Sequence, residues 1–144
     1  MEYKERIHWL GRYQDCLHQQ EMLRSRILAA RDRATSLQQA LSPISVQSSH
    51  LGSSIEKAIE TVESFQNRLA QMVVRNEQTL YEIESAISAL PCPESSILGM
   101  RYIDGKTFQE IADKMNLVPR RVYQIHQKGV LLLDSPEYMP DAPA

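Results

Sequence analysis

The sequence predicts an all-α protein: a long antiparallel helical hairpin, coiled-coil-like, followed by a C-terminal helix-turn-helix. Three observations carry that expectation. Apolar residues recur in alternating steps of four and three across residues 9–41 and again across 55–90. Helix breakers fall between and after those stretches, at Ser42-Pro43 through Gly52-Ser53-Ser54 and at Pro91-Cys92-Pro93. A shorter pair of helical periods then flanks Asn116, with a capping signal ahead of the first and a proline opening the second.

The first helix is expected from Tyr3 to Leu41, a stretch with no proline and with Gly11 as its one glycine. Its seam runs Trp9, Tyr13, Cys16, Gln20, Leu23, Ile27, Ala30, Ala34, Leu37, Leu41, a heptad pattern with one polar member, Gln20. The second helix is expected over 55–90 behind Ser54 as its cap. Its seam is Ile55, Ile59, Val62, Gln66, Leu69, Val73, Asn76, Leu80, Ile83, Ile87, Leu90, interrupted by Gln66 and Asn76. Helices this long measure about 50 Å each at their rise per residue, and one loop between them folds them back antiparallel. Charge favours the pairing. The first helix is rich in Arg, with Arg24, Arg26, Arg31 and Arg33 its densest cluster; the second carries Glu56, Glu60, Glu63, Glu77, Glu82 and Glu84. The Arg24–Arg33 cluster therefore reads as a solvated face opposite an acidic helix, with a second nucleic-acid surface as the alternative.

Further apolar residues lie off both seams: Phe65 and Met72 on the second helix, Leu10 and Leu17 on the first, with Ile7, Ala58 and Ala86 beside them. A single two-helix hairpin buries too little to stand alone, so these stripes need a partner. A homodimer forming a four-helix bundle is the expected solution, with Phe65, Met72, Leu10 and Leu17 at its interface. The alternative is that they fold onto the C-terminal part of the same chain.

Residues 107–133 carry the helix-turn-helix. Thr107 and Glu110 have the spacing of a reciprocal capping box. Phe108, Ile111, Ala112 and Met115 make the inner face of one helix, Asn116 suits a left-handed turn, and Leu117 plugs the gap. Pro119 opens the second helix, whose inner stripe is read as Val118, Val122, Ile125, Gly129 and Leu132. The expected core is thus Phe108, Ile111, Ala112, Met115, Leu117, Val122 and Ile125. Arg120, Arg121, Tyr123, Gln124, Gln127 and Lys128 are left on the outer face as candidate DNA contacts. Arg121 and Gln124 are placed at base edges, since Arg matches guanine and Gln matches adenine; Arg120 and Lys128 are placed at phosphates. His126 lies on the same helix, either touching phosphate or simply exposed. The whole chain has a formal net charge of −2. Its distribution favours the helix-turn-helix, where six Lys/Arg face four Asp/Glu over 91–133.

With the preceding helix, expected over 95–103, this segment resembles region 4 of bacterial sigma factors. The matching residues are Ile97-Leu98, Arg101-Tyr102, Gly105, Thr107, Glu110-Ile111, and Arg121-Val122 with Gln124-Ile125. Departures stand at Asn116, Val118, Pro119 and Gly129, so the resemblance implies the fold and not a sigma factor's own promoter specificity. The chain is not a complete sigma factor, because nothing upstream offers the aromatic and basic helix that would melt a promoter. The long hairpin, the Ser-rich break and the run Arg101-Tyr102-Ile103 to Gly105-Lys106-Thr107 also resemble small phage-encoded proteins near the ArpU-type late transcription regulators. That resemblance implies a phage or prophage transcriptional regulator acting on double-stranded promoter DNA, with host RNA polymerase as a second partner. Two other readings stay open: a small-terminase-like DNA-packaging protein, and a polymerase-binding adaptor that does not read DNA.

The organisation expected is residues 1–90 as an oligomerising hairpin, 91–133 as the DNA-reading domain, and 134–144 as a disordered acidic tail with three prolines. No catalytic residue, metal site or cofactor is implied: His8, His18, His50 and His126 lack ligand spacing, and Cys16 and Cys92 have no partner pattern. No secretory leader and no membrane-length apolar run are evident. The expected location is the cytoplasm of a bacterial host.

Overall fold

The computed structural model describes residues 2–41 and 49–133. Five α-helices follow one another: α1 (Tyr3–Leu41), α2 (Ser49–Ser88), α3 (Glu94–Leu98), α4 (Phe108–Met115) and α5 (Pro119–Leu132), with a π-type turn (Gly99–Ile103) extending α3. The fold is all-α, a long helical hairpin followed by a C-terminal helical domain, with no strand among the described residues.

Two helices differ in their bounds from the sequence reading. The second helix starts at Ser49 rather than behind a Ser54 cap, and ends at Ser88 rather than at residue 90. Gly52 lies inside it, at a cost of about 1 kcal/mol against alanine, which a helix of this length tolerates. The leading helix of the C-terminal part begins at Glu94 and does not stay α-helical to residue 103. It widens from Gly99, where the Asp104 N–H donates to the Gly99 carbonyl at 3.1 Å, five residues back. The expected Ser-rich break before Ser49 and the expected disordered tail over 134–144 lie outside the described residues.

The chain forms two compact units: Met1–Cys16 with Asn76–Ala144, and Leu17–Arg75. Both α1 and α2 contribute to each. In the Leu17–Arg75 unit, Gln20, Leu23, Ile27 and Ala30 are buried, and Val62, Leu69 and Val73 are half-buried. These are seam positions, so the four-three spacing marks the covered side of each helix. Leu17, Phe65 and Met72 are half-buried in this unit, and the Arg68 guanidinium lies 5.8 Å from the Phe65 ring centroid.

In the other unit, Leu10 is fully buried and packs with Ile83, Ala86 and Ile87 at the end of α2, with Leu90 just beyond it, and with Leu98, Tyr102, Val130 and Leu133. The placement of Leu10 at an oligomer interface is therefore corrected: its own chain covers it, because α3 and α5 supply the partner that the off-seam stripe required. Ile7, Trp9 and Tyr13 pack around the same cluster. A second cluster joins Ile97 to Ile111, Ala112, Val122 and Ile125, with Met100, Phe108, Met115 and Leu117 at its edge. Polar contacts tie α1 to the same unit. Arg6 donates to the carbonyls of Val130 (3.4 Å) and Leu131 (3.1 Å), and Gln14 donates to the Ile103 carbonyl at 2.8 Å. Arg12 pairs with Glu82 at 3.2 Å.

Candidate nucleic-acid interface

The interface is built on the α4–turn–α5 segment. At the start of α4, the Glu110 N–H donates to the Thr107 hydroxyl at 3.1 Å, and the Thr107 N–H donates to the Glu110 carboxylate at 3.3 Å. Two donors that the first helical turn leaves over are thereby satisfied. The helix ends at Asn116, in the left-handed conformation (φ 57°, ψ 42°), and the Leu117 N–H returns to the Ala112 carbonyl at 2.9 Å. Val118 is extended and precedes α5, with Pro119 in its first turn.

Along α5 the buried residues are Val122, Ile125, His126, Gly129 and Val130. Arg120, Arg121, Tyr123, Gln124, Gln127 and Lys128 are all exposed. Of the expected core, Ile111, Ala112, Val122 and Ile125 are buried, while Phe108, Met115 and Leu117 are half-buried around them. Val118 does not belong to the inner stripe: it is 66% exposed, because its backbone has not yet entered the helix. Leu132 is half-buried beside the Leu10 cluster.

At 3.6 residues per turn the exposed positions separate into three strips. Arg120, Gln124 and Gln127 run down the middle. Arg121 and Lys128 share the flank toward α3, and Tyr123 stands on the flank toward α4. The side-chain contacts agree. Lys128 reaches the Glu94 carboxylate of α3 at 3.4 Å, and that carboxylate is 6% exposed. Tyr123 stacks on Phe108 of α4, with ring centroids 4.2 Å apart and planes 24° from parallel. Arg121 bridges back to the middle strip by donating to the Gln124 side-chain oxygen at 3.3 Å. Lys128 is thus already paired: its ammonium partners a carboxylate that packing has taken out of water, while its own side chain stays 69% exposed.

His126 also departs from the sequence reading. It is 4% exposed, and its Nε2 lies 2.7 Å from the Tyr102 hydroxyl. Burial lowers its pKa to about 4, with the Arg101 charge adding in the same direction. Burial likewise pushes the Tyr102 hydroxyl up to about 12, so both groups are neutral over the physiological range. The sequence held a signal for this: His126 lies one helical turn after Val122, on the same face.

Gly129 stands mid-helix where α3 and α5 cross closely. A Cβ there would meet Glu94 Cβ at 3.2 Å and Leu98 Cδ1 at 3.1 Å, so a side chain would require its neighbours to shift. Gly105 turns the chain into α4 at φ +72°, against the Gln14 amide. Glu94, Gln14 and Arg6 carry no local pattern that would have announced these roles.

Residues 86–133 match the family described as Sigma-70, region 4. This segment is a sigma region-4-like helix-turn-helix. Region 4 is a DNA-binding module rather than a catalytic one. The match starts inside α2, taking in Ile87 and Leu90, whose side chains pack in the cluster of Leu98 and Val130. The sigma-like module therefore includes the end of the hairpin's second helix. No curated protein and no solved structure gives a match. Among the described residues, no group of His, Cys, Asp and Glu is arranged to hold a metal ion, and no helix is long and apolar enough to cross a membrane.

Proposed function

We propose that this protein is a DNA-binding transcriptional regulator of a phage or prophage. It reads promoter DNA as a homodimer in the cytoplasm of the bacterial host and touches RNA polymerase as its second partner. The observation that carries the reading is the exposed strip Arg120, Gln124 and Gln127, flanked by Arg121 and Tyr123, on a second helix whose other face is sealed by Val122, Ile125 and Gly129. A helix-turn-helix inserts the start of its second helix into the major groove, and this face offers donors there. Gln124, held by Arg121, is assigned to a base edge, and Arg120 to a phosphate. The homodimer is supported by apolar side chains left exposed in the Leu17–Arg75 unit: Met22 at 57%, Leu28 at 61% and Val74 at 71%.

Titration of the full chain onto a duplex enriched from a randomised pool, against a scrambled duplex at several salt concentrations, tests the reading. Gln124→Ala should cost about 1–3 kcal/mol on the enriched duplex and relax preference at one position. Arg120→Ala should weaken both duplexes alike and reduce the salt slope by about one unit. Failure of the wild-type chain to bind any duplex at low salt would remove the DNA-reading assignment and favour an adaptor that grips polymerase alone.

A further inference from the structure

The one aromatic side chain on the exposed face of α5 is held in place from behind. Phe108, at the start of α4, receives the Tyr123 ring at 4.2 Å and the Arg101 guanidinium at 4.4 Å. Two groups that close to one ring centroid cannot share a face, so they occupy opposite sides of Phe108. His126 meets its edge at 5.1 Å, nearly perpendicular, and Arg101 is itself anchored by donating to the Lys106 carbonyl at 3.1 Å. Tyr123 therefore stacks on a ring that is itself held on its other face and along its edge. The ring nevertheless remains 55% exposed, with one face covered and the rest of its apolar surface open.

Its position matters as much as its support. In helix-turn-helix docking the first helix crosses the DNA backbone while the second enters the groove, so the nucleic acid lies on the side that α4 and α5 share. Tyr123 stands on that flank, next to Gln124 and Gln127, whereas Lys128 turns toward α3 and Glu94. Every other exposed side chain over residues 120–128 is polar or charged. The feature of the major groove that an apolar side chain recognises is the C5-methyl of thymine, which adenine, guanine and cytosine do not present there.

We propose that Tyr123, braced by the Phe108–Arg101 stack, is a specificity-determining residue that receives the C5-methyl group of a thymine in the bound site. This rests on the DNA-reading assignment above and names one base within it. The ring makes the contact and the hydroxyl is dispensable.

Each thymine of the duplex enriched from the randomised pool is replaced in turn by deoxyuridine, which keeps the pairing edge and O4 and removes only the methyl. The wild-type full chain should lose about fourfold in affinity at one position, the equivalent of one buried methyl. Tyr123→Phe should bind as wild type and keep that sensitivity. Tyr123→Ala, checked for an unchanged thermal midpoint, should bind the thymine and deoxyuridine duplexes equally. The proposal is overturned if no position is sensitive in the wild type, or if Tyr123→Ala retains the sensitivity. It is also overturned if Tyr123→Phe loses affinity on both duplexes alike, which would put the hydroxyl on a phosphate. Absence of any enriched duplex would instead bring down the DNA-reading assignment, and this one with it.

Discussion

The Leu17–Arg75 unit and the unit formed by Met1–Cys16 with Asn76–Ala144 draw on the same two long helices, yet they are finished differently. Where α1 and α2 meet α3 and α5, off-seam residues become core: Leu10 is fully buried and Ala86 is 8% exposed. In the Leu17–Arg75 unit the corresponding residues Leu17, Phe65 and Met72 are only half-buried, and Met22, Leu28 and Val74 stand more than half exposed. The heptad seam is covered over most of its length, with Ile59 an exception at 41% exposed. Whether the adjacent stripe becomes core depends on what else the chain brings to it.

The sharpest way to break this comparison is to truncate the two stripes separately. Leu10→Ala should cost about 2–5 kcal/mol in unfolding free energy, the range for a fully buried leucine. Phe65→Ala should cost visibly less at protein concentrations where the chain is monomeric. Equal losses in chemical unfolding would mean that Phe65 is core after all.

A pH titration of stability addresses His126 of the sigma-like unit. His126 has a folded pKa of about 4 against an ordinary value near 6.5. Between those values the unfolded chain binds the extra proton and the folded chain does not, so stability is full above pH 6.5 and falls as pH drops toward 4. The loss reaches about 3 kcal/mol. His126→Gln should flatten that part of the profile, and an unchanged slope would place the titrating group elsewhere.

Next in size are the helix crossings. Gly129→Val would push a branched side chain into Glu94 and Leu98, and Ala112→Leu would overfill the second cluster, where Ala112 is 1% exposed. Each should cost about 1–3 kcal/mol in thermal unfolding of the full chain. An unchanged midpoint for Gly129→Val would show that α3 can yield.

The smallest expected change in stability belongs to the double variant Phe65→Glu with Met72→Glu. Helical signal should persist, while sedimentation equilibrium shifts from dimer to monomer because like charges now face each other across the proposed contact. A mass that does not change would remove these residues from the dimer interface.

Much of this architecture is legible in the sequence because it is local. The four-three seam, the Thr107–Glu110 box, Asn116 at the turn and Pro119 at the next helix start all depend on neighbours within one or two turns. What the sequence conceals is what lies across long separations. Leu10 reads as a residue in need of a second copy because nothing near it reveals α5. Lys128 reads as a free cation because Glu94 is 34 positions away. The stack of Arg101, Phe108 and Tyr123 joins three elements, and no period within one helix announces it.

The Arg6 contacts to Val130 and Leu131 span 124 and 125 positions of the chain. Such pairing cannot form until α5 has been made, whereas the contacts within each helix can. At ribosomal speeds of about 5–20 residues per second, roughly 6–25 s pass between the synthesis of Arg6 and that of its acceptors. For that interval α1 carries Leu10 without its final partners, so the sigma-like unit is completed only after nearly all of the described chain has been made.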